Sequence, residues 1–93
     1  MRKTCTKCAR KHIAQAVILL NESKLGYPEH LWLAVGHLAE AEAELDNKYH
    51  ELAEKVRIER LKVMNEGDSE GLMDLIKTIT LITEQDKANC CSW

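Results

Sequence analysis

The sequence contains no phenylalanine, and its only Trp and Tyr residues are Tyr27, Trp32, Tyr49 and Trp93. Leucine, isoleucine, valine and alanine are left to fill the interior, which favours a helical core over a β-sandwich. No apolar run approaches the roughly 20 residues that a membrane-spanning helix needs. The first residues also lack the apolar stretch of a secretion signal. We therefore predict an all-α protein in the cytoplasm, with no membrane partner.

Hydrophobic periodicity divides the chain into four segments of helical spacing, at residues 4–25, 29–45, 49–64 and 70–83. Gly26 and Pro28 mark the first break, because glycine is common just after a helix and proline in the first turn of one. Asp46 and Asn47 mark the second break, although the sequence leaves open one continuous helix across it. We predict a helical hairpin extended to a three- or four-helix bundle, which forms a homo-oligomer.

The apolar positions of these segments define the predicted core. The side chains expected to face inward are Cys5, Cys8, Ala9, His12, Ile13, Ala16, Val17, Leu19, Leu20, His30, Leu31, Leu33, Ala34, His37, Leu38, Ala41, Leu45, Leu52, Val56, Val63, Leu72, Leu75, Ile76, Ile79 and Ile82. A chain of 93 residues suits one such core. Residues 1–88 are therefore expected to form a single domain, followed by a loose tail at 89–93.

Charge is distributed unevenly along the chain. The first eleven residues carry five basic and no acidic side chains, whereas the rest carry eight basic and fifteen acidic ones, so +5 and −7 add up to the net charge of −2. Helix starts attract phosphate through free N–H groups and the helix dipole. Lys7, Arg10 and Lys11 are therefore candidate phosphate contacts, with Trp32 as a stacking surface. The alternative is that these cations pair with acidic side chains elsewhere in the fold.

Cys5, Cys8 and His12 lie on one side of the first predicted helix. If the first two helices fold back about a turn near residue 25, facing residue numbers add up to about 50, so that His12 lies opposite His37 or Leu38. Two thiolates and two imidazoles form a common tetrahedral zinc set. These four side chains are therefore predicted to hold a structural zinc ion. Cys5 and His12 are two turns apart, about 10 Å, which strains a shared ion unless Cys5 precedes the first full turn.

Two other interpretations of the cysteines remain open. In a cytoplasmic protein the thiols are expected to be reduced, and small buried cysteines with hydrogen-bonded histidines could simply belong to the core. Thioredoxin-type redox chemistry needs a strand before the Cys-x-x-Cys motif, and no strand precedes Cys5. The adjacent Cys90 and Cys91 are interpreted as incidental exposed thiols.

Acidic side chains on the second predicted helix suggest a third class of function. Glu40 and Glu44 are one turn apart, as are Glu42 and Asp46, and a carboxylate pair can hold magnesium. All-α nucleotide pyrophosphatases use clustered glutamates in this way. They need a second acidic pair facing the first, and the sequence does not place one there, so a solvated acidic face is favoured.

Three stretches resemble small helical proteins encoded by bacteriophages and prophages. They are Cys5-x-x-Cys8-x-Arg10-Lys11-His12, Gly26-Tyr27-Pro28 and Gly36-His37-Leu38-x-Glu40-Ala41-Glu42. The similarity covers residues 5–46 and implies a phage setting without a defined activity. Small oligomeric helical phage proteins include non-enzymatic sponges that sequester nucleotide signals of host immunity.

The sequence thus leads to a ranked set of expected functions. The first is non-enzymatic sequestration of a phosphorylated nucleotide signal, such as a cyclic nucleotide or an ADP-ribose derivative. The second is a zinc-stabilised helical module that binds a host protein, and the third is a metal-dependent nucleotide phosphohydrolase or a thiol redox protein. Nucleic acid is disfavoured as a partner, because the acidic remainder of the chain would repel a long polyanion.

Overall fold

Four α-helices make up most of the protein. The structure, a computed structural model, describes residues 6–46, 48–67 and 69–82. The helices are α1 (Thr6–Lys24), α2 (His30–Leu45), α3 (His50–Glu66) and α4 (Gly71–Ile82), and the described ranges contain no strand. The predicted all-α bundle is confirmed, and each predicted boundary lies within two residues of the observed one. The predicted tail at 89–93 lies outside the described residues.

Glycines terminate two of the helices through backbone conformations that other residues rarely adopt. Gly26 has φ +123° and Gly67 has φ +66°. At the end of α3, the Gly67 N–H donates to the Val63 carbonyl at 3.0 Å, which satisfies one of the carbonyls that a helix end leaves free. Between α2 and α3, Asp46 and Lys48 lie in turns and Tyr49 has the non-helical angles φ −123° and ψ 66°, so the alternative of one continuous helix is excluded.

Neighbouring helices run antiparallel. Side-chain contacts join His12 to His37 across α1 and α2, and Glu42 to Arg60 across α2 and α3. The fourth helix, α4, packs against α1 and α3. Its first residue, Gly71, lies beside Glu59 in the second half of α3, and its last residue, Ile82, lines a cavity with Leu52 at the start of α3. As a result, α1 and α3 begin at the same end of the bundle, where α2 and α4 finish. We call this the α1–α3 end.

The core is built from small and branched aliphatic side chains. Its members are Ala9, Ile13, Ala16, Leu19, Leu20, Ala34, Leu38, Ala41, Leu45, Leu52, Ala53, Val56, Val63, Leu72, Leu75 and Ile79. The buried residues of α1 and α2 share one pattern, in which alanine and a larger aliphatic residue alternate at spacings of four and three. In α1 it runs Ala9, Ile13, Ala16, Leu20, and in α2 it runs Ala34, Leu38, Ala41, Leu45. The alanines let the two helices approach closely.

Two predicted core residues are at the surface instead. Leu33 is 54% exposed and Ile82 is 53% exposed, because the first lies at the edge of the α2 face that meets its neighbours and the second ends α4. Thr6 and Ala53 are buried, and the sequence did not indicate either. None of the helices in the described ranges combines the length and the apolar character needed to cross a membrane.

Candidate functional sites: a histidine pair and a lysine-lined cavity

A pair of histidines connects α1 and α2. The Nδ1 atoms of His12 and His37 are 2.9 Å apart, and the ring centroids are 5.1 Å apart with planes inclined by 36°. Both side chains are half-buried. The structure therefore places His37 opposite His12, as the hairpin alignment predicts.

The short distance constrains the protonation of the two rings. A hydrogen bond at this distance requires one Nδ1 to carry a proton and the other Nδ1 to offer a lone pair, and which ring donates depends on the tautomers. Two imidazole nitrogens that face each other at this separation can share a proton or bind a common metal ion. The buried core beside this polar contact is made of aliphatic side chains.

Cys8 lies one turn before His12 on α1 and is buried. It is disulfide-bonded, which differs from the expected reduced thiol, and its partner lies outside the described residues. A disulfide sulfur is not a thiolate, so in this oxidised state Cys8 is not available as a zinc ligand. The remaining predicted ligand, Cys5, also lies outside the described residues. Within the described ranges no three His, Cys, Asp or Glu side chains form a metal cluster, and the zinc set stays a prediction.

A third histidine takes a separate role near the α1–α2 turn. His30 Nδ1 lies 3.0 Å from Glu22 Oε1, and its ring stacks on Tyr27 with centroids 5.3 Å apart. This contact is two turns of α2 away from His37, as the spacing in the sequence predicts. His30 therefore fastens the turn and does not join the histidine pair.

The structure separates Trp32 from the basic residues of α1. Lys7 is exposed and Arg10 and Lys11 are half-buried at the α1–α3 end. The two contacts between α1 and α2 place Trp32 beside residues 17–20 of α1. At 1.5 Å per residue, this position is about 10–15 Å along the helix axis from Arg10. Trp32, which is 62% exposed, therefore does not share a site with the predicted phosphate contacts.

A cavity of about 390 Å³ lies at the α1–α3 end, where α3 begins and α4 finishes. Its lining residues are Lys48, Tyr49, His50, Glu51, Leu52, Lys55 and Ile82. Leu52 and Ile82 give it an apolar wall, and Lys48 and Lys55 bring positive charge to its rim. His50 Nδ1 lies 3.5 Å from Asp46 Oδ1, and the Lys48 ammonium lies 5.5 Å from the centre of the Tyr49 ring. The cavity lining thus combines two lysines and one carboxylate, Glu51, with apolar surface.

The first turn of α3 adds backbone donors to this cavity. Tyr49 precedes the helix and makes no side-chain capping hydrogen bond. The hydrogen bond from the Ala53 N–H to the Tyr49 carbonyl, at 2.9 Å, closes the first turn, so the amides of residues 50–52 lie before the regular helical ladder. Sequence reasoning missed this site, although Lys48, Tyr49 and His50 directly follow the break and Lys55 lies in the next two turns.

One acidic side chain of α2 that the sequence suggests as a magnesium ligand forms an ion pair in the structure. Glu42 Oε1 lies 3.1 Å from Arg60 Nη2 of α3, so this carboxylate joins two helices. The carboxylates of α2 and α3 form no metal-binding cluster within the described part of the chain.

No family model matches the protein, and no curated protein or solved structure is similar enough to it to match.

Proposed function

We propose that this protein binds a phosphorylated small molecule of the nucleotide class in the cavity at the α1–α3 end. The observation that carries the proposal is the cavity itself, because its volume of about 390 Å³ falls in the range of roughly 300–1,000 Å³ typical of small-molecule sites. The ligand's phosphate would lie between Lys48 and Lys55, close to the first amides of α3. Its apolar part would lie against Leu52 and Ile82.

Charge at the same end of the bundle supports this position. Lys7, Arg10 and Lys11 begin α1 there, beside Glu44 and Asp46 at the end of α2, and basic side chains around a cleft attract anions over several ångströms. The Arg10 Nε is buried and finds no acceptor among the described residues, so it is a donor that an anionic ligand could use. Among the described aromatic side chains, Tyr49 rather than Trp32 lies at this end.

The biological setting of the proposal is sequestration without chemical change. The resemblance of residues 5–46 to phage-encoded helical proteins suggests a phage protein that acts in the host cytoplasm. There it would remove a cyclic nucleotide or an ADP-ribose derivative that signals host immunity. A binding protein of this kind needs affinity for phosphate and no catalytic group, and a homo-oligomer would raise the number of sites.

Thermal unfolding in the presence of single compounds tests the proposal. The compounds are inorganic pyrophosphate, AMP, cyclic mononucleotides and dinucleotides, and ADP-ribose derivatives, each with its Kd measured by calorimetry. A ligand at 100 times its Kd stabilises the folded state by about 2.7 kcal/mol, which raises the melting temperature by roughly 10–20 °C in a domain of this size.

Variants locate the site. Each charge-assisted contact to phosphate contributes about 1.5 kcal/mol or more, so K48Q and K55Q should each raise the Kd about tenfold. K77Q is the matched control, because Lys77 is an exposed lysine of α4 outside the cavity. If K7Q and R10Q weaken binding while K48Q and K55Q do not, the ligand lies at the start of α1 and the cavity proposal is wrong. Release of phosphate from the bound compound would indicate an enzyme instead.

A second candidate function is a helical module that binds another protein. Eleven large apolar side chains are exposed in the described residues, and four of them lie near the α1–α2 turn: Leu25, Tyr27, Trp32 and Leu33. Large contiguous apolar patches are typical of interaction sites, and these four side chains are the candidates to form one. This function is favoured if no compound changes the melting temperature and a host protein co-purifies with the chain.

A further inference from the structure

We propose that reduction of the Cys8 disulfide turns the histidine pair into a transition-metal site. In the reduced protein Cys8 Sγ, His12 Nδ1 and His37 Nδ1 would bind one ion such as Zn²⁺, and in the oxidised protein the thiolate ligand is absent. Metal binding by the α1–α2 hairpin would therefore depend on the redox state of one side chain. This inference does not rest on ligand binding at the α1–α3 end.

The histidine nitrogens already have nearly the separation that a shared ion requires. Two nitrogens bound to one tetrahedral zinc ion at about 2.0–2.1 Å lie about 3.3 Å apart. The observed distance between the Nδ1 atoms of His12 and His37 is 2.9 Å. An increase of about 0.4 Å, reached by small side-chain rotations, would admit the ion in place of the shared proton.

In the disulfide-bonded state Cys8, His12 and His37 are not grouped as a metal cluster, but Cys8 has the spacing on α1 to supply the third ligand once it is reduced. It precedes His12 by four residues on α1, and residues four apart on a helix lie on one face with Cβ atoms about 5–6 Å apart. Two histidines with this spacing on a helix are a known zinc-binding arrangement. Because His37 reaches the same face from α2, the three ligands come from two helices and the ion would bridge them.

The ligand types favour a transition metal over magnesium or calcium. Imidazole nitrogen and thiolate sulfur are preferred by Zn²⁺ and Co²⁺, whereas Mg²⁺ and Ca²⁺ prefer oxygen. Both histidines are half-buried rather than fully enclosed, so water can reach the ion and complete a four-coordinate shell.

The conversion balances with a dithiol reductant. The reductant's two thiols give two electrons and two protons to the disulfide, whose S–S bond breaks to leave two cysteine thiols, while the reductant closes its own disulfide. Cys8 then loses one proton as its sulfur binds the ion. The proton shared by the histidine nitrogens moves to Nε2 of its own ring, which frees both Nδ1 lone pairs. Each bound ion therefore releases one proton, from Cys8.

Titration with Co²⁺ alone tests the proposal on the full chain in two states, oxidised and reduced. The dithiol reductant is removed from the reduced sample under anaerobic conditions before Co²⁺ is added, because its thiolates bind the ion themselves. Thiol counting verifies the oxidation state of each sample. The reduced protein should bind one Co²⁺ per chain, with a thiolate-to-cobalt charge-transfer band in the near ultraviolet and the intense visible bands of tetrahedral cobalt. The oxidised protein should lack the charge-transfer band and bind Co²⁺ on the order of 100-fold more weakly. Loss of a group that only hydrogen-bonds a metal ligand already costs about 10–100-fold in affinity, and loss of a ligand should cost at least as much.

Ligand variants and a matched control identify the atoms. In the reduced state C8S should abolish the charge-transfer band, and H12Q and H37Q should each weaken binding on the order of 100-fold. H30Q is the control, because His30 is a half-buried histidine of α2 that pairs with Glu22 and not with the histidine pair. The H30Q protein should bind Co²⁺ with the affinity of the wild type. Circular dichroism checks that each variant keeps its helices.

Three results would overturn the proposal. They are equal Co²⁺ affinity in the oxidised and reduced states, a charge-transfer band that persists in C8S, and wild-type affinity in H37Q. If a histidine variant loses its helical signal, the nitrogen resonances of wild-type His12 and His37 provide the test instead. Addition of Zn²⁺ to the reduced protein should then shift both Nδ1 resonances, and unchanged Nδ1 resonances would also exclude the site.

Discussion

Two leucines of α2 provide a direct test of how this helix is oriented. Helical periodicity predicts that Leu33 and Leu38 both face the core, but the structure buries Leu38 completely and leaves Leu33 54% exposed. The substitutions L33A and L38A remove the same atoms from the same helix. Their effects on the free energy of unfolding should therefore differ according to burial alone.

The size of the expected difference follows from the atoms that are lost. Replacing leucine by alanine removes three carbon atoms, worth about 2.4 kcal/mol of transfer free energy at about 0.8 kcal/mol per methylene. Because Leu38 has no exposed surface, the change also leaves a cavity, which brings the total to about 3–4 kcal/mol. For a domain of this size that corresponds to a melting temperature lower by roughly 12–30 °C. L33A should change stability by no more than about 0.5 kcal/mol.

Urea unfolding followed by circular dichroism measures both values. The slope of free energy against urea should stay the same in both variants, because the surface exposed on unfolding hardly changes. Equal destabilisation by the two substitutions would refute the described orientation of α2. If L33A destabilises only at high protein concentration, Leu33 is covered by a second chain, and the loss should disappear on dilution.

Two further predictions concern the helix ends and the contact between α2 and α3. G67A should destabilise the protein by about 1 kcal/mol, since alanine is strained at φ +66°. G36A should instead stabilise it by about 0.5–1 kcal/mol, because Gly36 is at an exposed helical position with nothing within 4 Å of the added Cβ. Thermal unfolding measures both effects, and a stabilising G67A would contradict the left-handed end of α3. A double-mutant cycle with E42Q and R60Q should give a coupling of about 0.5–1 kcal/mol that decreases at high salt, and a coupling of zero would show that this ion pair does not hold α2 to α3.

Much of the fold is predictable because its signals are local. The helix boundaries follow from glycine and proline at the breaks, and the buried faces from a spacing of three and four residues. The contact between His12 and His37 follows from the same local information, because a short turn fixes which residues of an antiparallel hairpin lie opposite each other.

The remaining features depend on tertiary placement. Periodicity identifies one side of a helix but not how widely neighbouring helices cover it, so it predicts that Leu33, at the edge of that side, is buried, whereas the structure leaves it exposed. The cavity needs the end of α4 to lie beside the start of α3, and no local pattern relates Ile82 to Lys48. The association of Trp32 with the basic residues was based on chemistry alone, and the hairpin geometry separates them.

The shared spacing of alanine and larger aliphatic residues in α1 and α2 has a consequence for how the hairpin finds its alignment. Because each pattern nearly repeats after seven residues, sliding one helix by two turns, about 10.5 Å, would again place small side chains opposite large ones. Apolar packing alone would then distinguish poorly between neighbouring alignments. The polar contacts of His12 with His37 and of Glu22 with His30 break that degeneracy, because a slipped hairpin would leave half-buried polar groups without partners.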